Sequence, residues 1–264
     1  MTSLPEVLKQ AEADGVAVGH FNFSDLVSFN AIVAAARDKQ LPVMVGVSEG
    51  EREFTGVRQA AALMKAVRDE FDYRIFLNAD HTHSIAKAEA AAKAGFDEII
   101  FDGSALPFEA KIAQTRKAIE AIKSVNPAIL VEGEIGWIGA SLAVIEKVPE
   151  GVGVLTTAEE AKQFVEATKV DVLAPAVGNM HGMLLASMVH GEAQKRLNIE
   201  RIAEIKAAAH IFMTLQGRSG TKDDDFRRAI KPGITIVHVN TVPRPLARCH
   251  EYSRDRQRGQ IGRG

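Results

Sequence analysis

The sequence predicts a single α/β domain folded as a (β/α)8 TIM barrel. Eight short apolar runs are typical of buried parallel strands, and seven helical patterns alternate with them. No change of composition marks a second domain. A doubly wound open sheet is the alternative, although such sheets rarely need eight regular units. We therefore assign residues 1–242 to the barrel and expect residues 243–264 to form a basic, poorly ordered tail.

The predicted elements follow one another with few interruptions. A first helix, Leu4–Asp14, is expected to close the lower end of the barrel. The predicted strands are Val16–Phe23, Val43–Ser48, Arg74–Asp80, Glu98–Asp102, Ala128–Glu134, Val172–Val177, Ile211–Leu215 and Ile234–Asn240. The predicted helices between them are Leu26–Arg37, Val57–Phe71, Ile85–Ala94, Phe108–Ser124, Ala158–Thr168, Ile199–Ala209 and Asp223–Ile230. Two connections, Gly136–Thr157 and Gly178–Asn198, are long enough to indicate functional loops.

Composition and charge exclude several classes of protein. With 46% hydrophobic and 25% charged residues, the chain is typical of a soluble globular domain. The net charge of −2 gives no reason to expect a nucleic-acid or membrane partner. Six arginines after residue 243 could form a basic arm, but a frayed end is the preferred interpretation. A single cysteine and an N-terminus without a signal-peptide pattern predict a cytoplasmic protein.

The strongest local signal for chemistry is the segment from Ile75 to Ser84. Its apolar start predicts a buried strand, which gives way to a loop carrying Asp80, His81 and His83. In α/β folds, ligands bind outside the carboxyl ends of the strands. Strand alternation predicts His81 and His83 on one side and Asp80 on the other. A carboxylate beside a metal-binding imidazole can transfer protons, whereas the alternative is a capping loop with surface histidines.

Other predicted strands end in polar residues as well. They are His20, Asn22, Ser48, Glu49, Asp102, Ser104, Glu132, Glu134, Asn179, His181, Gln216, Ser219, His238, Asn240 and Thr241. Because a barrel brings these ends to one rim, they favour a metal-dependent enzyme acting on a phosphorylated substrate. Gly217–Gly220 precedes a helix and could offer backbone N–H groups to an anion, although a plain turn is an equal alternative.

Five motifs give the chain a resemblance to the class II, metal-dependent fructose-bisphosphate and ketose-bisphosphate aldolases. They are Asn78-Ala79-Asp80-His81, Phe101-Asp102-Gly103-Ser104-Ala105-Leu106-Pro107, Val131-Glu132-Gly133-Glu134-Ile135-Gly136, Val177-Gly178-Asn179-Met180-His181-Gly182 and Gly217-Arg218-Ser219-Gly220. They occur in the family's order at the expected strand ends, from about Val16 to Thr241. The family fold is a (β/α)8 barrel, which agrees with the fold predicted from the strand and helix patterns.

The resemblance implies a Zn²⁺ ion bound by three histidines from three strand ends. His81 and His181 match the first two, and Gln216 occupies the position of the third. Asp80 matches the catalytic residue, and Asp102 and Glu134 match acidic positions near the metal. The residues that match substrate-binding positions are Asn22, Ser48, Gly182, Gly217, Ser219, Asn240 and Thr241.

The implied activity is cleavage or condensation of a ketose bisphosphate, of fructose 1,6-bisphosphate or tagatose 1,6-bisphosphate type, giving dihydroxyacetone phosphate and an aldehyde. A homo-oligomer is also expected. Three departures qualify this. Gln216 offers only a neutral amide oxygen to zinc, and His238 stands where the family usually has asparagine. Arg218 adds a bulky side chain beside the presumed phosphate loop, where the family has glycine. Activity is therefore expected to be impaired. The alternatives are a weakened barrel retained as a binding or scaffold protein, and a barrel enzyme with a different phosphosugar reaction.

Overall fold

A computed structural model describes residues 2–136, 138, 144–145, 154–179, 183–184, 196–217 and 221–239. Within these parts, eight parallel strands close into a barrel in the spatial order β1-β10-β9-β7-β5-β4-β3-β2. Their bounds are β1 Val18–Asn22, β2 Val43–Ser48, β3 Ile75–Thr82, β4 Glu98–Phe101, β5 Leu130–Ile135, β7 Val172–Pro175, β9 Phe212–Leu215 and β10 Ile234–Val239. The (β/α)8 barrel predicted from the sequence is confirmed.

The helices agree closely with the predicted ones. They are α1 Leu4–Asp14, α2 Leu26–Lys39, α3 Glu49–Thr55, α4 Val57–Phe71, α5 Ile85–Ala94, α6 Phe108–Val125, α7 Ala158–Thr168, α8 Ile199–Ala209 and α9 Asp223–Ile230. None of these helices is both long and apolar enough to cross a membrane. The proposed tail, residues 243–264, lies outside the described residues.

Two features were not predicted. Helix α3 begins directly after β2, where Ser48 and Glu51 form a reciprocal capping box. The second is a two-residue parallel pairing of β6 (Val144–Ile145) with β8 (Met183–Leu184). Each of these short strands lies in one of the two long connections, so the pairing joins the two loops that the sequence marked as functional.

Alternating side chains separate the inside of the barrel from its outer layer. Val45, Leu77, Ile99 and Val131 pack outward against the helices. The inward-facing residues at the lower end are apolar and pack on α1, which contributes Leu4, Val7, Leu8 and Ala11. They are Val18, Met44, Phe76, Leu130, Val172 and Ile236. This confirms that α1 closes the lower end of the barrel.

Above this apolar layer the interior of the barrel is polar. Asn78 Nδ2 donates to Glu98 Oε2 at 2.6 Å. Glu132 accepts hydrogen bonds from Thr214 Oγ1 and Gln216 Nε2, both at 2.6 Å. Buried polar groups are costly unless they are hydrogen-bonded. The upper half of the barrel is therefore built around a hydrogen-bonded polar network.

Candidate active site

The carboxylate of Asp80 lies at the upper end of β3, only 3% exposed. Asn22, at the end of β1, donates from Nδ2 to Asp80 Oδ2 at 2.8 Å and also approaches Glu51 Oε2 at 3.4 Å. Asp80 Oδ1 has no hydrogen-bond donor among the described residues, and His238 Nδ1 and His81 Nε2 lie 3.7 and 3.9 Å from it. One oxygen of Asp80 is thus held in place while the other faces the site.

His81 breaks the alternation that the sequence predicted. Its φ is +42°, and the pairing of β3 with β4 shifts register between Ala79 and Thr82. A left-handed conformation in a residue other than glycine is uncommon, and a bulge of this kind re-aims a side chain. The prediction that Asp80 and His81 point to opposite sides is therefore wrong at this position. The bulge brings the His81 ring within 4 Å of the Asp80 carboxylate.

Two further carboxylates surround His81. His81 Nδ1 lies 3.0 Å from Asp102 Oδ2 and 4.0 Å from Glu134 Oε2. Asp102 is held in turn by the backbone N–H of Ser104, which donates to Oδ1 at 2.9 Å. His83, which is more exposed, reaches the same Asp102 oxygen at 3.7 Å. Three of the predicted metal-site residues, His81, Asp102 and Glu134, are thus in one cluster.

The charges in this cluster determine its protonation. Burial opposes ionisation of Asp80, but the positive charges of His81, His238 and His20 outweigh it, so the pKa of Asp80 lies well below its usual value. Burial likewise opposes ionisation of Asp102, yet its contact with His81 holds the pKa of Asp102 well below its usual value. Asp102 is therefore an ionised carboxylate, which can accept hydrogen bonds but cannot donate them. It follows that His81 Nδ1 carries the hydrogen and that His81 Nε2 faces Asp80.

The pKa values of Glu134 and His81 are both raised in this cluster, in which carboxyl groups surround an imidazole. Burial raises the pKa of Glu134 to about 8, with Asp102 adding to the effect, and Glu134 Oε2 has no partner among the described residues. Despite burial, the surrounding carboxylates raise the pKa of His81 to about 10. One ligand atom from each of His81, Asp102 and Glu134 lies within 4.8 Å of the others. An imidazole, a carboxylate and a buried glutamate oxygen without a hydrogen-bond partner among the described residues are ligand types that suit a divalent metal ion.

The remaining predicted residues are distributed as follows. Ser48 ends β2 at the same rim, but its hydroxyl caps α3, accepting from Glu51 N at 3.4 Å. Gly217 follows β9 in a left-handed conformation with φ +62°. Gln216 is fully buried, and its Nε2 donates to Glu132. The predicted residues His181, Gly182, Ser219, Asn240 and Thr241 lie outside the described part of the chain.

Arg52 was not predicted from the sequence as a site residue, yet it supports the backbone of Asp80. It is 3% exposed, and its guanidinium donates to the carbonyl oxygens of Val47 and Asp80 and to Thr82 Oγ1. These bonds tie the upper ends of β2 and β3 together around Asp80. The sequence signal was the capping box of Ser48 and Glu51, because it predicts a short helix after β2 whose last turn carries Arg52.

The buried glutamates of the barrel interior predict a pH-dependent stability. Burial raises the pKa of Glu132 from 4.5 to about 7, and the pKa of Glu98 is raised by burial and by the charge of Glu132. A carboxyl whose pKa is raised on folding contributes stability at low pH that is lost as the pH rises through its folded pKa. In the wild type, ionisation of Glu132 is expected to lower the free energy of unfolding by up to about 3 kcal/mol as the pH rises from 5 to 8. We expect Glu132→Gln to remove this fall.

Chemical denaturation of both proteins across this pH range measures the effect. The exposed Glu166 on α7 provides a matched control, since Glu166→Gln removes a carboxylate outside the barrel interior. Parallel stability curves for the wild type and Glu132→Gln would contradict the prediction.

Comparison with known proteins agrees with this geometry. The family model described as fructose-bisphosphate aldolase class-II matches residues 2–246. A probable fructose-bisphosphate aldolase of Bacillus subtilis (strain 168) is 31% identical over 91% of this chain and 81% of its own length. A 6-phospho-5-dehydro-2-deoxy-D-gluconate aldolase of Shouchella clausii (strain KSM-K16) is 32% identical over 89% of this chain and 77% of its own.

The fold comparison leads to the same family. The crystal structure of the YdjI aldolase from Escherichia coli K12 superposes with a TM-score of 0.75 at 25% identity, covering 89% of this chain and 79% of that one. The family model spans nearly the whole chain, and the strand ends carry the acidic and histidine residues described above. The chain belongs to the class II fructose-bisphosphate aldolase family.

Proposed function

We propose that the protein cleaves and forms the carbon–carbon bond of a ketose bisphosphate in a zinc-dependent reaction, yielding dihydroxyacetone phosphate and an aldehyde. The observation that carries this proposal is the buried carboxylate of Asp80. Its pKa is held well below the usual value, mainly by neighbouring histidines against the effect of burial, and one of its oxygens faces His81. A general base must be ionised and have an oxygen free to accept a proton, and Asp80 has a lowered pKa and an Oδ1 without a hydrogen-bond donor among the described residues.

Asp80 is assigned the proton transfer. In the cleavage direction, Asp80 Oδ1 removes the proton from the hydroxyl adjacent to the scissile bond, and the electron pair of that O–H bond forms the carbonyl of the aldehyde as the carbon–carbon bond breaks. The electron pair of the broken bond passes into the former ketose carbonyl to give an enediolate, which takes up a proton to become dihydroxyacetone phosphate. Asn22 keeps the carboxylate in orientation through its bond to Oδ2. Arg52 fixes the backbone of the same residue through the Asp80 carbonyl.

His81 is assigned the role of a zinc ligand through Nε2. Asp102 orients the ring by accepting from Nδ1, an arrangement common behind metal-bound histidines. Glu134 is assigned a place near the metal because it belongs to the same cluster and its Oε2 has no hydrogen-bond partner among the described residues. The bound zinc would supply electrophilic polarisation of the ketose carbonyl. His181 is proposed as the second imidazole ligand on the basis of the motif alone.

The substrate contacts remain assigned by the family's motif. Ser48 and Gly217 lie at the rim, and Gly217 in its left-handed conformation can present a backbone N–H to a phosphate. Gly182, Ser219, Asn240 and Thr241 are proposed for the same substrate. The two relatives named above carry different substrate names, a fructose bisphosphate and a phosphorylated deoxygluconate derivative. We propose a ketose bisphosphate as the substrate. Cleavage rates with fructose 1,6-bisphosphate and tagatose 1,6-bisphosphate measure which sugar is preferred.

A second candidate function is that of a weakened barrel retained for binding. The observation in its favour is the contact of Gln216 Nε2 with Glu132, which holds the residue at the family's third histidine position inside the barrel network. Retro-aldol assays with fructose 1,6-bisphosphate and tagatose 1,6-bisphosphate, with and without a chelator, distinguish the two functions. Chelator-sensitive production of dihydroxyacetone phosphate supports the aldolase. Sugar binding without cleavage supports the weakened barrel.

The metal assignment gives a separate prediction for two histidines. His181→Ala is expected to abolish stoichiometric zinc, whereas His83→Ala is expected to leave it, because the His83 side chain is more than half exposed and lies 3.7 Å from Asp102. Metal content of the purified variants by mass spectrometry provides the measurement. The reverse pattern would mean that the metal site is rebuilt around the Asp-His-Thr-His segment of β3.

A further inference from the structure

His81 adopts a backbone conformation that a residue with a Cβ atom rarely takes. Its φ of +42° lies in the left-handed region, at the point where the pairing of β3 with β4 shifts register. A conformation of this kind persists only when the surrounding structure imposes it. The chain on either side of His81 is therefore expected to be held by contacts from outside β3.

Arg52 on α3 binds both residues that flank His81. Its Nη1 donates to the carbonyl oxygen of Asp80 at 2.9 Å, and its Nη2 donates to Thr82 Oγ1 at 2.7 Å. A further bond from Nη1 to the carbonyl oxygen of Val47 anchors the guanidinium to the end of β2. The Asp80 carbonyl belongs to the rigid peptide plane that precedes His81, so its bond with Arg52 restricts rotation about the N–Cα bond of His81.

Two further contacts hold the peptide plane that follows Thr82. The Thr82 carbonyl oxygen accepts from the backbone N–H of Asp102 at 2.9 Å. The N–H of His83, in the same plane, donates to Glu49 Oε2 at 2.9 Å. Glu49 is the first residue of α3. The same short helix thus holds the chain before and after the bulge.

The acceptors of Arg52 explain why a charged side chain is buried at this position. The guanidinium is 3% exposed, and its three acceptors described above are neutral oxygens. Burying a charge costs free energy, and an apolar side chain of similar volume would avoid that cost. Only a planar group with several donors can bind the carbonyl before His81 and the hydroxyl after it at the same time.

We propose that Arg52 is a positioning residue for His81, because it holds the left-handed backbone that turns the imidazole towards Asp102 and Glu134. In this conformation His81 Nδ1 lies 3.0 Å from Asp102 Oδ2 and 4.0 Å from Glu134 Oε2. Regular strand alternation would instead place the side chains of Asp80 and His81 on opposite faces of β3. Glu49 is the second contact from α3.

The consequence for zinc rests on the proposed function, in which His81 is a ligand. A ligand that is already held in its binding orientation requires no rearrangement when the metal arrives. Loss of the contacts of Arg52 therefore weakens metal binding without removing a ligand. The effect on the backbone of residue 81 is independent of any metal, so the two can be measured separately.

A metal-free test compares alanine with glycine at residue 81 by chemical denaturation of the full chain. His81→Ala and His81→Gly both remove the ring, so the alanine-to-glycine ratio of their unfolding equilibrium constants reports the backbone alone. Glycine tolerates the left-handed region and alanine is strained there. Adding Arg52→Met is expected to lower this ratio roughly tenfold, because the alanine chain can then leave the left-handed region. An unchanged ratio would overturn the proposal.

Arg68→Met is the matched control, because Arg68 on α4 donates to the Ile75 carbonyl oxygen at the other end of β3. It is expected to leave the ratio unchanged. Should Arg52→Met fail to fold, Thr82→Val takes its place, since it keeps the shape of a fully buried side chain and removes one acceptor of Arg52. It is expected to lower the ratio in the same direction, and an unchanged ratio there would equally overturn the proposal.

Co²⁺ binding by the full chain with His81 intact measures the consequence for the metal. Arg52→Met is expected to weaken Co²⁺ binding roughly 10–100-fold and to shift the visible absorption of the bound ion, whereas Arg68→Met is expected to match the wild type. Arg52→Lys, which keeps the charge and part of the donor capacity, is expected to recover part of the affinity. Equal Co²⁺ affinity in Arg52→Met and the wild type would overturn the positioning role.

His81→Ala separates this proposal from the proposed function. Co²⁺ binding by His81→Ala equal to that of the wild type would refute His81 as a metal ligand. The alanine-to-glycine ratio at residue 81 does not depend on that assignment, and it then decides alone whether Arg52 holds the backbone of His81.

Discussion

Replacing Asp80 with alanine is expected to lower aldol cleavage by roughly 10²–10⁴-fold while leaving zinc bound at the His81 cluster. The carboxylate is 3% exposed, held ionised by nearby histidines and oriented by Asn22, which fits a proton-transfer group. It is not among the atoms grouped with His81, Asp102 and Glu134. Steady-state turnover with fructose 1,6-bisphosphate, measured beside the zinc content of the same preparation, separates a chemical role from a metal-binding one.

Asp80→Asn gives a sharper comparison than alanine, because it keeps the shape of the side chain while removing its capacity to accept a proton. Asp38→Asn, at an exposed position on α2, is the matched control. An unchanged rate in Asp80→Asn would remove Asp80 from the mechanism. Loss of zinc at the His81 cluster together with activity would make Asp80 part of that metal site.

The fold could be predicted because each element carries its own signal. Alternating apolar runs and helical patterns specify the strands and helices, and Ser84 and Thr157 cap α5 and α7 as their positions suggest. The barrel closure follows from the number and regularity of these units. Helix α3 was missed because it directly follows β2 without a connecting loop, which concealed the capping box of Ser48 and Glu51.

The composition of the rim was predicted, but its internal contacts were not. Sequence position places His81, Asp102 and Glu134 at strand ends, and the closed barrel brings those ends together. The positive φ of His81 depends on a register shift between β3 and β4, which local sequence does not encode. The contact between Asp80 and His81 could therefore not be derived from strand alternation.

The polar layer deeper in the barrel also has a signal in the sequence. Asn78, Glu98, Glu132 and Thr214 are polar residues in strands whose lower ends are mostly apolar. A period of two within a buried strand indicates that one face has a different environment. The rings of His20 and His238 also stack on each other inside the barrel, which depends on the pairing of β1 with β10, the two strands that close the barrel, and so on tertiary structure alone.

Restoring an imidazole with Gln216→His is expected to raise zinc affinity and aldolase activity together. Gln216 can offer zinc only a neutral amide oxygen, and its Nε2 is hydrogen-bonded to Glu132. Loss of one good ligand costs several kcal/mol, on the order of 10²–10⁴-fold in affinity at 1.4 kcal/mol for each tenfold. The wild-type protein is accordingly expected to bind zinc at the His81 cluster more weakly than the Gln216→His variant and to turn over more slowly. Calorimetric zinc titration and retro-aldol assays measure the two gains.

The full gain is expected in the double variant Gln216→His/Arg218→Gly, which restores the family's small residue in the loop after β9. Gln163→His, at an exposed position on α7, adds an imidazole away from the site and serves as the control. A rise in zinc affinity without a rise in turnover would place the defect elsewhere in the chain. Tight zinc binding at the His81 cluster and rapid turnover in the unaltered protein would contradict the prediction. In that case either Gln216 binds the metal adequately, or a nearby residue such as Glu134 binds it instead. Gln216→His therefore tests directly whether the residue at position 216 limits zinc binding and turnover in this barrel.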